Sequence, residues 1–248
     1  FWHNGIVAGG GRVYCLDKNP TRIEEAMLRR GMTLPDSYRI VCVDAATGET
    51  NWEVKEGIFG TWLGYSEQHE LLLQAGAQAS DRLREEVGQG MRVYHAETGE
   101  VHWKKDDLRY AGPCILHNDL IITNANSYSE SAGAFYLTTG KQRMVKHPIT
   151  GVEVPWKMTR AYGCNNIIAS ENLLTFRSGA AGYYDLTTDG GTGNLGGFKS
   201  GCTSNLVVAN GVLNAPDYTR TCSCSYQNQT SLALVHMPDV EVWSVNAL

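Results

Sequence analysis

Apolar and polar residues alternate along this chain in short runs bounded by glycine, the pattern of half-buried β-strands rather than of helices. Arg39-Ile40-Val41-Cys42-Val43, Glu70-Leu71-Leu72-Leu73-Gln74, Met91-Arg92-Val93-Tyr94, Asp119-Leu120-Ile121-Ile122-Thr123 and Asn172-Leu173-Leu174-Thr175-Phe176 are the clearest of them. One window follows a different rule. Between residues 19 and 31 the apolar positions Ile23, Ala26 and Met27 have helical spacing. Asn19 stands as cap and Pro20 at the first position, Glu24 and Glu25 lie early, Arg29 and Arg30 late, and Gly31 is the stop. This predicts a short helix near residues 20–30 whose apolar stripe lies on the sheets.

The strands are organised by a repeated phrase. Val43-Asp44-Ala45-Ala46-Thr47-Gly48-Glu49-Thr50-Asn51-Trp52 returns 51 positions on as Tyr94-His95-Ala96-Glu97-Thr98-Gly99-Glu100-Val101-His102-Trp103. In each copy a strand leads into Thr-Gly, where glycine can take positive φ, and a second strand carries tryptophan four residues later. A third copy, Phe135-Tyr136-Leu137-Thr138-Thr139-Gly140, has Met144 in the tryptophan's place. A fourth, Tyr183-Tyr184-Asp185-Leu186-Thr187-Thr188-Asp189-Gly190, is slipped by one residue. Recurrence at this interval predicts radial repeats. The expected fold is an all-β propeller of four-stranded antiparallel blades in a single domain spanning 1–248. About five blades are read, at 1–55, 59–104, 110–146, 162–198 and 199–246. Trp52, Trp103 and Trp243 then sit on outer strands, where an indole wedges between blades.

The strand, Thr-Gly and tryptophan motif resembles the PQQ-like (pyrroloquinoline-quinone-type) propeller repeat of quinoprotein dehydrogenases and of the propeller lipoprotein of the bacterial outer-membrane assembly machine. The stretch from Asn214 to Gln229, with Cys222-Ser223-Cys224 inside it, is similar to the C-terminal part of large bacterial PQQ-like repeat proteins. The resemblance implies missing blades upstream of these five, because propellers of this family usually close with about seven or eight, with a closed five-blade ring as the alternative. Quinone-binding members surround the cofactor with a disulfide between adjacent cysteines, a stacking tryptophan, a calcium-binding Glu/Asn pair and a catalytic aspartate. Here no two cysteines are adjacent and no carboxylate matches those roles, so PQQ or a soft metal ion is implied only as an alternative.

Composition narrows the functional classes. The 248 residues carry a net charge of −5 with no basic stripe, which argues against nucleic acid. No apolar run reaches the roughly 20 residues of a membrane-spanning helix. The chain opens at Phe1 without methionine or signal peptide, as a processed or excised piece would. Of seven cysteines, Cys15, Cys42 and Cys114 fall in apolar strand runs and read as core. Cys164 and Cys202 occupy matched places at the starts of first strands, and Cys222 and Cys224 can approach from a loop of the same blade as Cys202. Four thiolates converging in this way form a candidate zinc or copper(I) site. A disulfide among them is the structural alternative, natural in a periplasmic or otherwise extracytoplasmic protein.

Gly191-Thr192-Gly193-Asn194-Leu195-Gly196 formally matches GxGxxG, but no helix start follows it and it reads as a wide turn. His95 and His102 read as exposed strand-end residues, and no catalytic constellation is present. Residues 18–37, 77–90, 125–131 and 217–230 are all insertions between second and third strands, which places them on one face of the disc. The expected function is therefore a non-enzymatic binding or scaffold propeller. Its loop-rich face, including Tyr218, Arg220, Tyr226 and Gln229, would meet a protein or glycan partner or position a fused catalytic domain. A quinone- or metal-dependent oxidoreductase is the alternative.

Overall fold

In a computed structural model the described residues are 5–35, 37–79, 83–196, 198–200, 205–217 and 228–237. The chain divides into two compact units, Phe1–Thr159 and Arg160–Leu248.

The first unit begins with an antiparallel sheet of four strands in chain order: β1 (Ile6–Gly9), β2 (Arg12–Asp17), β3 (Arg39–Asp44) and β4 (Thr50–Val54). The second sheet repeats the plan with β5 (Trp62–Ser66), β6 (Leu71–Ala75), β7 (Gln89–His95) and β8 (Val101–Arg109). The third contains β9 (Ala111–His117), β10 (Leu120–Asn124) and β12 (Ala134–Tyr136), with β11 (Ser129–Glu130) in the connection. First strands lie beside first strands, β1 against β5 and β5 against β9. Two apolar cores separate the three sheets. One holds Tyr14, Leu16, Ile40, Leu63, Leu72 and Tyr94, the other Leu73, Met91, Val93, Ile121, Phe135 and Leu137, all buried. Each such side chain contributes about 1.5–3 kcal/mol on leaving water.

The third sheet departs from expectation at its fourth strand. After Phe135 a single bridge reaches Gln142, and β13 (Met144–Lys146) turns away to pair with β14 (Glu153–Pro155). The stretch at the end of the expected third blade is therefore a hairpin of its own. Its turn, His147-Pro148-Ile149-Thr150-Gly151, is an unrecognised copy of the repeated phrase.

In the second unit, which β15 (Thr159–Arg160) leads into, β16 (Ile168–Ala169), β17 (Leu173–Ser178), β18 (Ala180–Asp185) and β19 (Thr192–Asn194) form a four-stranded antiparallel sheet in that order. The last sheet shows β20 (Val207–Ala209), β21 (Val212–Ala215) and β22 (Leu232–Val235), with β16 beside β20. The expected strand from Val240 to Val245, with Trp243, lies outside the described residues. The glycine-rich 191–196 stretch is a short edge strand bounded by positive-φ Gly191 and Gly196 rather than a turn throughout.

The Thr-Gly turns share one hydrogen-bond pattern. The glycine N–H reaches back four residues in each: Gly48 to Asp44 O at 2.9 Å, Gly99 to His95 O at 2.8 Å, Gly140 to Tyr136 O at 2.7 Å and Gly151 to His147 O at 2.8 Å. The threonine hydroxyl accepts from the residue after the glycine, as from Glu49 and Glu100 at 3.2 Å. Glycine is required because it sits at φ between 66° and 76°. In the slipped copy Asp189 takes that place at φ 50° and donates to Asp185 O at 3.1 Å.

Tryptophan locks one sheet to the next through these turns. Trp52 donates its Nε1–H to Ala96 O at 3.0 Å, and Trp103 donates to Leu137 O at 2.6 Å. Each indole lies on the glycine of the following sheet's turn. A β-carbon at Gly99 would stand 2.7 Å from Cε3 of Trp52, and one at Gly140 would stand 3.1 Å from the ring of Trp103. Met144, at the matching place in the third copy, is 45% exposed and makes no such wedge.

Candidate functional site

Three long connections between second and third strands lie in the first unit. The insertion after β2 carries helix α1 (Thr21–Arg29). Its start is one residue later than expected, because the Pro20 carbonyl accepts from Ile23 N at 2.9 Å and Glu24 N at 3.1 Å and so serves as the cap. Asn19 instead turns its amide toward Met27 Sδ at 3.6 Å. The end is as expected, with Gly31 at φ 71° and paired bonds from Gly31 N to Leu28 O and Met32 N to Met27 O, both 2.9 Å. Of the stripe expected to lie on the sheets, Ala26 and Met27 are half-buried and Ile23 is exposed. No residue of α1 is buried, and Ile23, Leu28 and Met32 are exposed.

The insertion after β6 is pinned to its own sheet. Gln78 N donates to Val87 O at 3.1 Å, and Gly112 N donates to Gln78 O at 2.7 Å. Thr61 Oγ1 donates to Glu86 Oε2 at 2.9 Å. Beneath it the Tyr110 hydroxyl accepts from Gly76 N at 2.6 Å and donates to Gly90 O at 2.7 Å. Burial drives its pKa upward. Between the two insertions opens a cleft of about 320 Å³, with Pro20, Arg22 and Ile23 on one wall and Leu83, Glu85 and Glu86 on the other. Both charge signs and an apolar floor are thus offered together. The third insertion adds Tyr128, 78% exposed.

The cysteine cluster read from sequence is only partly within view. Cys164 is half-buried, four residues before β16 rather than at its start, while Cys202, Cys222 and Cys224 lie outside the described residues. Of the four expected binding-face residues, Tyr218, Arg220 and Tyr226 also lie outside them, and Gln229 is exposed. Around Cys164 the chain is polar and closely tied. Asn165 Oδ1 accepts from Arg160 Nη2 at 2.6 Å and from Arg177 N at 2.8 Å, and both guanidinium side chains are buried. They lie over aromatic rings, Arg160 on Phe176 and Arg177 on Tyr162.

Among the described residues no three His, Cys, Asp or Glu side chains converge on a common point. Cys42 and Cys114 are core residues as expected, Cys15 is half-buried, and burial raises all three thiols above their usual range.

On the Thr-Gly edge His102 and His95 form a pair that sequence reasoning treated as two separate residues. His102 Nδ1 is 3.2 Å from His95 Nε2, and His102 Nε2 is 2.8 Å from Thr138 O of the next sheet's turn. The carbonyl can only accept, so His102 carries a proton on Nε2; when its ring is neutral, Nδ1 accepts the His95 Nε2–H.

Neither a family model nor a curated protein matches the sequence. Solved structures that match the chain in part include BamB from Moraxella catarrhalis, at 14% identity and TM-score 0.44 over 74% of this chain and 52% of that one. A europium-containing methanol dehydrogenase matches at 11% identity and TM-score 0.38, over 64% of this chain and 25% of that one. The computationally designed Ika8 protein matches at 11% and TM-score 0.48, over 93% and 70%. The chain thus spans about half the length of the first of these proteins and a quarter of the second.

Proposed function

We propose that the chain is a non-enzymatic, extracytoplasmic binding or scaffold domain of PQQ-like propeller type, which offers the edge bearing its long insertions to a protein or glycan partner. Five fan-like sheets are the reading of its architecture, supported within each unit by first strands lying side by side. One observation carries the functional reading. Insertions separated in sequence, 18–37 and 77–90, wall a single cleft lined by Ile23, and the first of them also exposes Leu28 and Met32. Exposed apolar side chains beside both charge signs suit a protein surface, where aromatic and apolar anchors supply most of the binding energy. The corresponding connection of the last sheet contributes Tyr218, Arg220, Tyr226 and Gln229 to the proposal.

The test is cross-linked capture from an envelope extract of a bacterium that carries the gene. A variant combining Ile23→Ser, Leu28→Ser, Met32→Ser and Tyr128→Ala should fold and lose at least about tenfold in captured partner. Capture equal to that of the unaltered chain removes the reading. The alternative, a quinone- or metal-dependent oxidoreductase, takes its place if the purified protein shows a stoichiometric metal or a quinone absorption band.

A further inference from the structure

Among the described residues, the strand register shows that the two sheets of the second unit lack the aromatic filling that closes the matching space in the first. In the first sheet the cross-strand row two residues from the turn-opening Asp44 reads Tyr14, Cys42, Trp52. In the fourth sheet the row two residues from Asp185 reads Thr175, Tyr183, Gly193. The facing row of the second sheet, one residue into its second strand, is Tyr65, Leu72, Tyr94. The same row of the last sheet is Val208, Leu213, Leu234.

In the first unit those side chains make a packed aromatic layer. Tyr14 stacks on Tyr65 with ring centroids 5.1 Å apart, Trp52 stands 6.0 Å from Tyr14, and Tyr94 is fully buried. In the second unit four aromatic rings become threonine, glycine, valine and leucine. Only Cys42 is exchanged for something larger, Tyr183, whose ring folds across Gly193.

A cleft of about 540 Å³ opens where the layer is missing, lined by Thr175, Tyr183, Val208, Leu213, Leu234 and Phe198. Such a volume lies within the range of small-molecule sites, about 300–1,000 Å³. Apolar surface of this kind facing water is costly in a folded protein unless something covers it. Leu234 and Leu195 on its rim are 39% and 49% exposed. Thr175 Oγ1 is already committed to Leu206 O at 2.7 Å, so the wall presents little polar demand there.

The geometry points to this cleft as a binding site for a flat, mostly apolar ring compound with at most one polar edge. The ligand class follows from the chain's own packing. The matching space in the first unit is filled by phenol and indole rings, of which Trp52 offers one N–H to a backbone carbonyl. The site shares no lining residue with the insertion cleft and does not depend on the binding-domain reading.

The test uses the whole chain with indole and 2-naphthol as probes, followed by saturation-transfer NMR. Saturable binding is expected with Kd between about 10 µM and 1 mM, the range open to ligands of this size. Val208→Tyr and Leu234→Tyr restore rings at the places of Tyr65 and Tyr94. Each should weaken probe binding at least about tenfold and raise the melting temperature. Absence of saturable binding to the unaltered chain, or undiminished binding to folded variants, overturns the assignment. Should the variants fail to fold, NOEs from bound 2-naphthol to Leu213 and Leu234 methyls sustain it, and NOEs confined to other residues defeat it.

Discussion

The indole of Trp52 rests on the α-carbon of Gly99, 47 residues away, and donates its proton to the carbonyl of Ala96 in the same turn. One residue type needs a flat surface and the other supplies it by lacking a side chain. The repeated phrase therefore encodes a docking joint rather than a turn alone, and Trp103 with Gly140 repeats it.

Breaking this joint should be costly and non-additive. Trp52→Phe leaves the Ala96 carbonyl without its donor and opens space, an expected loss of about 2–4 kcal/mol. Gly99→Ala adds a β-carbon where φ is 75° and the ring is 2.7 Å away, an expected loss of about 1–3 kcal/mol. In a Trp52→Ala background the steric part vanishes. Denaturant unfolding of the unaltered chain, Trp52→Ala, Gly99→Ala and the double variant should give a coupling of at least about 0.5 kcal/mol. Additivity within error would show that the two residues do not meet.

The turn-opening aspartates set an acid limit. Backbone N–H groups of Thr47 and Ala46 hold Asp44 below its ordinary value of 3.8, and Thr187, chiefly through its hydroxyl, does the same for Asp185. A carboxyl depressed on folding stabilises the protein above the unfolded value, and that contribution disappears as pH falls through the folded one. Stability measured from pH 6 down to about pH 2 should fall less steeply through that region in Asp44→Asn and Asp185→Asn than in the unaltered chain. Equal slopes would count against these bonds.

Where the fourth copy slips, Asp189 carries a left-handed conformation at φ 50° that its neighbours assign to glycine. Asp189→Gly removes that strain at the cost of a long 3.3 Å bond from Tyr184. A net gain of about 0.5 kcal/mol in chemical denaturation is expected, and a loss above 1 kcal/mol would contradict the turn assignment.

How much of this was legible beforehand depended on whether the signal was local. The Thr-Gly turns, the locking role of Trp52 and Trp103, and the placement of insertions after second strands all follow from short words and their spacing. The His147–Gly151 turn escaped notice because Pro148 and Ile149 disguise the phrase and its tryptophan, Trp156, stands five residues past the glycine instead of four. The stripe of α1 was legible but its destination was not, because an amphipathic pattern says which side is apolar and nothing about what covers it. The second unit's cleft arises from side chains that are missing. Gly193 becomes informative only once β18 and β19 are paired and it falls at the place of Trp52.

Burial should also silence three thiols. Desolvation raises Cys15, Cys42 and Cys114, leaving little thiolate at neutral pH. Iodoacetamide labelling followed by peptide mass mapping should find Cys42 and Cys114 unmodified in the native protein at pH 7.5 and fully modified in guanidinium. Rapid native labelling of Cys114 would show that its sheet is not packed as described.

The central claim is that successive sheets interlock through indole and glycine, and NOE spectroscopy of the Trp52 and Trp103 indole protons reads it directly. The account predicts cross-peaks from Trp52 Hε1 to the Ala96–Gly99 turn and from Trp103 Hε1 to the Leu137–Gly140 turn, with slowed exchange of both protons. Indole protons that exchange freely and show contacts only within their own sheets would contradict it.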